Sequence, residues 1–160
     1  MSFLRALNIS GSGLTAQRLR LDIVSENITN LDTTRTENGG PYRRKVVQFQ
    51  AVNSGNFRSA LDNAINRNPE FHAHHSHMRL QRPGSAGVIV SSIIEDETPF
   101  KTVWDPTHPD ADEYGYVHLP NVELIKEVTD AMSASRSYDA NVTALNAIKL
   151  MASKALEVGR

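Results

Sequence analysis

Apolar side chains recur every three or four positions through the last part of the chain, the spacing that places them on one face of an α-helix. No Gly or Pro interrupts Asn121–Val158, so we predict one helix there, with Asn121 as its N-cap and Gly159 just past its end. Such a helix is roughly 55 Å long, more than a small domain needs for its core, so we expect it to pack against several partners. One stripe comprises Leu124, Val128, Ala131, Ser135, Tyr138, Val142, Leu145, Lys149, Ala152 and Leu156, and a second comprises Ile125, Val128, Met132, Ile148 and Met151.

A similar apolar stripe occupies the start of the chain. Gly11 and Gly13 fall inside it, and each costs a helix about 1 kcal/mol relative to Ala. We therefore predict a firm helix from about residue 12 or 14 to Asn30, with the first ten residues as a weaker helical extension. The stripe comprises Phe3, Leu7, Ser10, Leu14, Gln17, Leu21, Val24, Ile28 and Leu31.

The middle of the chain alternates turn-forming stretches with short β-prone runs. The predicted fold class is α+β: long N- and C-terminal helices that pair as a coiled-coil-like core, with a small β-rich middle segment. We expect residues 1–31 and 120–160 to form a discontinuous helical domain, and residues 32–119 to form the β-rich segment, with an insert at about 52–86. The predicted strands are Arg43–Gln50, Gly87–Glu95, Phe100–Trp104 and Gly115–Leu119, with a candidate short helix at Phe57–Ile65.

Composition narrows the function classes without selecting one. The chain has 160 residues, a formal net charge of −1 and no Cys. We therefore expect no disulfide, thiolate metal site or Cys nucleophile. Bulk charge gives no reason to expect a nucleic-acid partner, and no apolar run is long enough for direct membrane insertion. The first residues also lack the continuous apolar core of a cleavable signal peptide.

Four histidines form the clearest candidate metal site. They are His72, His74, His75 and His77, and imidazole binds Zn, Ni and Cu well. In an extended strand the run splits into two pairs on opposite faces, so four ligands from it require an irregular loop. Two interpretations stay open: a periplasmic or secreted metal-binding protein that uses this cluster, or a solvated insert, which we favour.

The other charged and aromatic clusters have structural explanations that we favour. The basic run Tyr42–Lys45 is typical of a solvated strand edge, where charge prevents wrong pairing, and a polyanion site is the alternative. The acids within Asp105–Glu113 lack EF-hand spacing, so turn formation is preferred to a cation site. Trp104 and Tyr116 are interpreted as core residues. The GxSxG, HExxH, Walker A and GxGxxG motifs are absent, so a small hydrolase, the third function class considered, has no organised site in this sequence.

Three stretches together resemble one protein family. They are LTAQRLRLDIVSENITNLDTTRT at Leu14–Thr36, GGPYRRKVVQFQ at Gly39–Gln50, and Trp104–Met151, which contains DADEYGYVHLPN and SRSYDAN. They are similar to the bacterial flagellar basal-body rod protein C family (FlgC), a component of the proximal rod. An LTAQ…N.TN stretch paired with SRSYDAN is typical of flagellar axial proteins, and DADEYGYVHLPN favours this member among them.

The resemblance implies a structural subunit and not an enzyme, with no cofactor and no small-molecule substrate. Such a subunit assembles helically, through its terminal helices, into the torque-transmitting drive shaft of the flagellum. Its implied partners are other flagellar rod proteins, copies of itself and the flagellar type III export apparatus. Its implied location is the rod of the basal body, in the periplasmic space, reached without a cleaved signal peptide. Val52–Ala86 departs from the compact family pattern and is expected to be an outer insert.

The apolar seams themselves are wider than one antiparallel helix would cover, which favours association. A contact between two different surfaces of one subunit builds an open helical assembly and not a closed ring. We therefore predict subunit contacts at Leu14, Leu21, Val24, Ile28, Leu31, Val128, Met132, Tyr138, Val142, Leu145 and Ile148.

Overall fold

Two long helices, one near each end of the chain, frame two small antiparallel sheets. The structure is a computed structural model that describes residues 3–37, 39–53 and 85–158. Its architecture confirms the predicted α+β class with paired terminal helices and a β-containing middle. The elements are α1 (Phe3–Thr29), β1 (Lys45–Asn53), β2 (Ser85–Glu95), β3 (Lys101–Trp104), β4 (Tyr116–Leu119) and α2 (Leu124–Val158).

Helices α1 and α2 pack side by side in opposite directions. Near one end, the Asn27 side chain donates to the Glu127 carboxylate at 3.0 Å. Near the other end, a Cβ added to Gly13 would lie 3.1 Å from the Asn141 side chain. These two contacts are fourteen residues apart on each helix, which is about four helical turns. Between them lies Ala134, which is fully buried, so the side of α2 that faces α1 contains residues at seven-residue spacing.

This register leaves the helices with unequal ends. Continuing it outward places the first residue of α1, Phe3, level with about Met151 of α2. The last two turns of α2 therefore extend past the start of α1. Within the described residues, no helix is both long and apolar enough to cross a membrane.

Helix α1 continues without a break through both glycines. The predicted extension over the first residues is therefore helical, from Phe3 onward. A Cβ at Gly11 would meet nothing within 4 Å, whereas one at Gly13 would touch Asn141. Only the second glycine thus permits a close approach of the two helices, and packing against α2 offsets the low helix propensity of the stretch.

Strands β1 and β2 form a long two-stranded ribbon beside α1. Lys45 pairs with Glu95 at one end, and an irregularity in register separates Gln48 from Phe49. The ribbon is held to α1 where the backbone N–H of Val88 donates to the Ser12 hydroxyl at 3.0 Å. An isolated two-stranded ribbon is marginally stable in water, so this contact and the packing on α1 support it.

The predicted insert at 52–86 contributes its two ends to this ribbon, since Val52 belongs to β1 and Ser85 to β2. The candidate helix at Phe57–Ile65 and the histidine run His72–His77 lie outside the described residues.

Strands β3 and β4 form a short hairpin that leads directly into α2. Their register pairs Lys101 with Leu119 and Trp104 with Tyr116. Val117 is buried, but Trp104 is 66% exposed and Tyr116 is 47% exposed. The interpretation of these two aromatic residues as core is therefore wrong, because a two-stranded hairpin covers only one of its faces here.

Helix α2 begins at Leu124 and not at the predicted Asn121. The Asn121 side chain does not cap the helix. Its Oδ1 accepts a hydrogen bond from the backbone N–H of Arg44 at 2.8 Å, and its Nδ2 donates to the carbonyl of Asp96 at 3.0 Å. The preference of Asn for helix starts is real, but a tertiary contact with the β1–β2 ribbon uses this side chain instead.

Candidate functional site

A cluster of buried polar side chains joins the end of α1, the start of β1 and the start of α2. We call it the polar junction and define it by Asn27, Tyr42, Arg44, Asn121 and Glu127, all of which are buried. Asn27 and Glu127 are completely inaccessible to solvent. Buried polar groups cost free energy unless each finds a partner, and every member of the junction has one.

Asn27 acts as a substitute for a neighbouring strand at the edge of β1. Its Nδ2 donates to the carbonyl of Lys45, and its Oδ1 accepts from the N–H of the same residue, both at 2.9 Å. The same Oδ1 accepts from the Tyr42 hydroxyl at 2.9 Å, and the same Nδ2 donates to Glu127 at 3.0 Å. One carboxamide therefore fixes the position of β1 relative to both helices.

Arg44 connects three carboxylates from two parts of the chain. Its Nε donates to Glu127 Oε1 at 2.6 Å, its Nη2 to Asp130 Oδ2 at 3.1 Å, and its Nη1 to Asp96 Oδ2 at 3.5 Å. Asp130 also accepts from Arg20 of α1 at 3.3 Å. Burial alone would lower the pKa of Arg44, but the hydrogen bond and charge of Glu127, with the two aspartates, outweigh it and raise the pKa.

The prediction that Tyr42–Lys45 forms a solvated strand edge is therefore wrong for Tyr42 and Arg44, which are 7% and 8% exposed. The alternating pattern of a strand puts neighbouring residues on opposite faces, and here one face turns into the junction. Burial, followed by the charges of Glu26 and Glu127, raises the pKa of Tyr42 to about 12. The phenol is thus a neutral donor at physiological pH.

The Asn121 carboxamide extends the β1–β2 ladder by one step. The Asp96 N–H donates to the Arg44 carbonyl at 2.8 Å, but the reciprocal backbone bond is replaced by Asn121, which lies between the Arg44 N–H and the Asp96 carbonyl. Asn121 Nδ2 also donates to Thr98 Oγ1 at 2.8 Å. The junction therefore locks the start of α2 to the ribbon, and its geometry is that of a structural centre in which each group is engaged.

The predicted subunit-contact residues in α1 and the turn after it divide into two groups. Val24 is buried inside this chain, against its own neighbours. Four others are half-buried and keep part of their surface accessible: Leu14, Leu21, Ile28 and Leu31.

The predicted contact residues of α2 also divide. Val128 and Met132 are 44% and 52% exposed. The remaining four are half-buried, and by helical spacing Leu145 and Ile148 lie on the side that faces α1. The structure therefore does not bring the predicted residues into one continuous surface. The half-buried set comprises Tyr138, Val142, Leu145 and Ile148.

Several large apolar side chains that were not among the predicted contacts are more exposed. Ile125 is 85% exposed, Leu150 66%, Met151 63% and Leu156 76%. Ile125 and Leu150 lie opposite the side of α2 that faces α1, while Leu156 lies on the overhanging turns. Apolar periodicity alone could not separate these positions from the buried ones, because it does not say which face meets α1.

Possible metal chemistry is limited in the described part of the chain, where no group of three or more His, Asp or Glu side chains could hold a metal ion. The paired Asp112 and His118, 3.1 Å apart, are both about half exposed.

Comparison with known proteins identifies flagellar relatives along the whole chain. Residues 7–35 match the family described as flagella basal body rod protein, and residues 114–158 match the family described as flagellar basal body rod FlgEFG protein C-terminal. The flagellar basal-body rod protein FlgC of Bacillus subtilis is 46% identical, with 100% of both chains covered.

Two further relatives carry the same name. The FlgC protein of Borreliella burgdorferi is 40% identical, over 99% of this chain and 98% of the relative, and that of Escherichia coli is 39% identical over 100% of both. The alternative of a metal-binding protein finds no support among these relatives.

Proposed function

Since the chain belongs to the FlgC family of flagellar basal-body rod proteins and is a structural subunit of that rod, we propose that its terminal helices drive its helical assembly. Its neighbours would be copies of itself and other rod proteins. The assembled shaft would transmit torque across the periplasm, with the subunit acting as a building element and not as an enzyme.

The observation that carries this proposal is the apolar surface left outside the α1–α2 seam. Leu150 and Met151 are each more than 60% exposed, near the end of α2, and Phe3 and Leu4 of α1 are 43% and 68% exposed at the same end of the pair. Exposed apolar surface favours association. Leu150 lies on the side of α2 turned away from α1, so this end of the pair offers apolar side chains to neighbouring subunits on more than one side.

We further propose that the flagellar type III export apparatus delivers the chain, without a cleaved signal peptide, to the periplasmic part of the basal body. The support is family membership, since a rod subunit must reach the rod. Measuring the secreted and cell-associated amounts of the protein in cells with and without that export apparatus tests this part of the proposal.

The assembly role is tested by Leu150→Asp combined with Met151→Asp. Burying a Leu side chain contributes roughly 2 kcal/mol, and a charge placed in such a contact costs more unless it is paired. We expect the variant to be folded and exported but absent from rods, with motility lost in cells that lack the native protein. The control is Ser153→Asp, which adds one negative charge, half that of the double variant, to an exposed site on the same helical turn.

Normal rod incorporation and motility of the double variant would show that this helix end does not carry assembly. Equal loss in the Ser153→Asp control would show that any added charge disturbs the helix, and would also contradict the proposed apolar contact.

A further inference from the structure

The loop between β3 and β4 is fastened to the loop after α1 by the side chain of Asp110. Its Oδ2 accepts a hydrogen bond from the Thr34 hydroxyl at 2.8 Å, and its Oδ1 lies 3.8 Å from Arg35 Nη1. Asp110 and Thr34 are both half-buried. We call residues 105–115 the hairpin loop, and these two interactions of Asp110 the loop contact.

The ring of His108 holds the backbone of Asp110 in place. The Asp110 N–H donates to His108 Nδ1 at 3.1 Å. The His108 N–H donates to the Asp105 carbonyl at 3.3 Å, and its carbonyl accepts from the Ala111 N–H at 3.1 Å. Residues 105–111 therefore form a compact turn in which the imidazole sets the position from which Asp110 reaches Thr34.

The hydrogen bond to the His108 ring requires that the ring is uncharged. A backbone N–H can only donate, so Nδ1 must present a lone pair to Asp110. In an imidazolium both ring nitrogens carry a proton, and two N–H groups would then face each other. Since histidine ordinarily changes its charge near pH 6.5, mild acid is enough to remove this acceptor.

A charged His108 ring has a different favourable interaction close by. The Thr107 hydroxyl and backbone N–H donate to Asp105 Oδ1 at 2.7 and 3.0 Å. These bonds, with a further contribution from the charge of His108, lower the pKa of Asp105. Asp105 is therefore ionised wherever imidazole titrates, and it attracts an imidazolium. The neutral ring is held by the Asp110 N–H and the charged ring by Asp105, so the two charge states favour different arrangements.

The remaining charged groups at the hairpin loop do not duplicate this dependence. Arg35 faces Asp110 from the loop after α1. On β4, His118 Nε2 lies 3.1 Å from Asp112 Oδ2, so a charge on His118 strengthens that pair. The Gly115 N–H donates to the Asp112 carbonyl at 2.8 Å whatever the charge of either histidine. The response to His108 is therefore expected in the first half of the loop, which contains Asp110.

We infer that His108 is a pH-sensitive switch, which releases the hairpin loop from Thr34 and Arg35 when its ring becomes charged. Protonation removes the acceptor of the Asp110 N–H, the turn rearranges, and the Asp110 carboxylate leaves the Thr34 hydroxyl. The charge change is local, and the element that it biases is a turn with two arrangements.

The switch acts on an exposed part of the subunit. Tyr114 in the same loop is 82% exposed, so a rearranged loop changes the surface that the hairpin presents in mild acid. The proposed contact at Leu150 and Met151 lies at the opposite end of the helix pair and does not involve this loop.

Nuclear magnetic resonance of the ¹⁵N-labelled full-length chain tests the switch directly. The amide signals of Asp110, Thr34 and Arg35 are followed from pH 8 to pH 5, together with the Cε1 proton of His108. We expect all four signals to move with one common midpoint, inside the range of about pH 5 to 8 in which imidazole titrates.

Two substitutions at position 108 should hold the loop in either arrangement. In His108→Asn the side-chain oxygen can accept from the N–H two residues further on, and it does not titrate. This variant should keep the pH 8 positions of the Asp110 and Thr34 signals down to pH 5. In His108→Lys the side chain is charged and only donates, so it should show the acid positions of both signals already at pH 8.

His118→Gln is the control, because it removes the other imidazole of the hairpin and should leave the response unchanged. The switch is overturned if Thr34 stays still while His108 titrates, if the response persists in His108→Asn, or if it is lost in His118→Gln. Should a variant at position 108 fail to fold, as circular dichroism would show, the titration of the native chain and the control still decide. The test uses the isolated subunit, so its failure leaves the proposed rod assembly untouched.

Discussion

The two ends of the α1–α2 pair are held by different kinds of contact. At one end, Asn27 and Glu127 are inaccessible to solvent and connect both helices to the β1–β2 ribbon through hydrogen bonds of 2.6 to 3.0 Å. At the other end, the helices meet through Gly13 and Asn141, and α2 continues past α1 with Leu156 76% exposed. We call these the junction end and the distal end.

The difference lies in what holds each end in place within the single subunit. Buried polar groups accept few alternative arrangements, since any shift leaves a donor or acceptor without a partner. The junction end therefore fixes the angle between helices and sheets in the single subunit. The distal end leaves apolar side chains accessible, and its stabilisation is expected to come from neighbouring subunits.

The largest effect should follow from removing the carboxylate at the centre of the junction. Glu127→Ala leaves Arg44 buried and Asn27 Nδ2 with one partner fewer, and breaking such a buried pair costs about 3–5 kcal/mol. Urea unfolding followed by circular dichroism measures the loss. The control, Glu157→Ala, removes an exposed ion pair with Lys154 and should change the free energy of unfolding by less than about 1 kcal/mol.

A double variant sharpens this first prediction. Replacing both partners, with Arg44→Met and Glu127→Leu, should destabilise less than Glu127→Ala alone, because no buried charge is left without its partner. If Glu127→Ala lowered the free energy of unfolding by less than about 1 kcal/mol, the polar junction would not be a main source of stability.

Hydrogen exchange compares the two ends without a mutation. In the monomer, amides of α2 between Glu127 and Ala134 should exchange through near-global unfolding, since the two residues that bound this stretch are completely buried. Amides beyond Ala152, on the overhanging turns, should open at a free energy lower by at least about 2 kcal/mol. Equal protection along the whole helix in a verified monomer would remove the distinction between the ends.

The two glycines of α1 give a matched pair with a smaller effect. Gly11→Ala should raise the free energy of unfolding by about 0.5–1 kcal/mol, because Ala favours the helix and its Cβ meets open space. Gly13→Ala should gain less or lose stability, since its Cβ would be 3.1 Å from Asn141. Thermal unfolding of both variants measures the two effects. A third variant, Gly13→Ala combined with Asn141→Ala, checks whether the Asn141 side chain is the obstacle. Equal gains in stability at both glycines would contradict close packing at Gly13.

The smallest expected effect is on the free energy of unfolding at acid pH. The backbone hydrogen bond from Thr98, together with the Thr98 hydroxyl and the charge of Arg44, lowers the pKa of Asp96. Its contribution to stability is therefore complete above the unfolded pKa of about 3.9 and is lost as the pH falls through the lower, folded pKa. Asp96→Asn should make the free energy of unfolding decline less steeply below about pH 4.

The exposed Asp139 provides the control for this substitution, because Asp139→Asn makes the same chemical change at a solvent-accessible site on α2. If the free energy of unfolding fell equally steeply with acid in the native chain and in Asp96→Asn, the Asp96 carboxylate would not contribute to the stability of this region.

Local pattern was enough to predict the fold class and the number of regular elements described. Apolar residues at helical spacing indicated both α1 and α2, and Val- and Ile-rich runs indicated β1 and β2. The misplaced start of α2 has a tertiary cause. Asn121 was expected to cap α2 from its type alone, but its carboxamide serves the Arg44 and Asp96 backbone more than twenty residues away.

The candidate site was less accessible to sequence reasoning. Arg44 and Trp104 were both assigned to the wrong environment, one as solvated and the other as core. Both assignments followed the average behaviour of their residue types. A buried Arg is favourable only with partners such as Glu127, which follows it by 83 residues, and no local pattern reports such a pairing.

The sequence by itself determined what each segment could become, because helix and strand periodicity are properties of neighbouring residues. It also determined the family, through stretches at both ends of the chain. Only the tertiary structure decided which face of α2 meets α1, and hence that Glu127 is enclosed while Ile125 stays exposed. The physical reason is that burial and electrostatic pairing depend on residues brought together from distant parts of the chain, and the cost of each polar group is set by the partner it finds there.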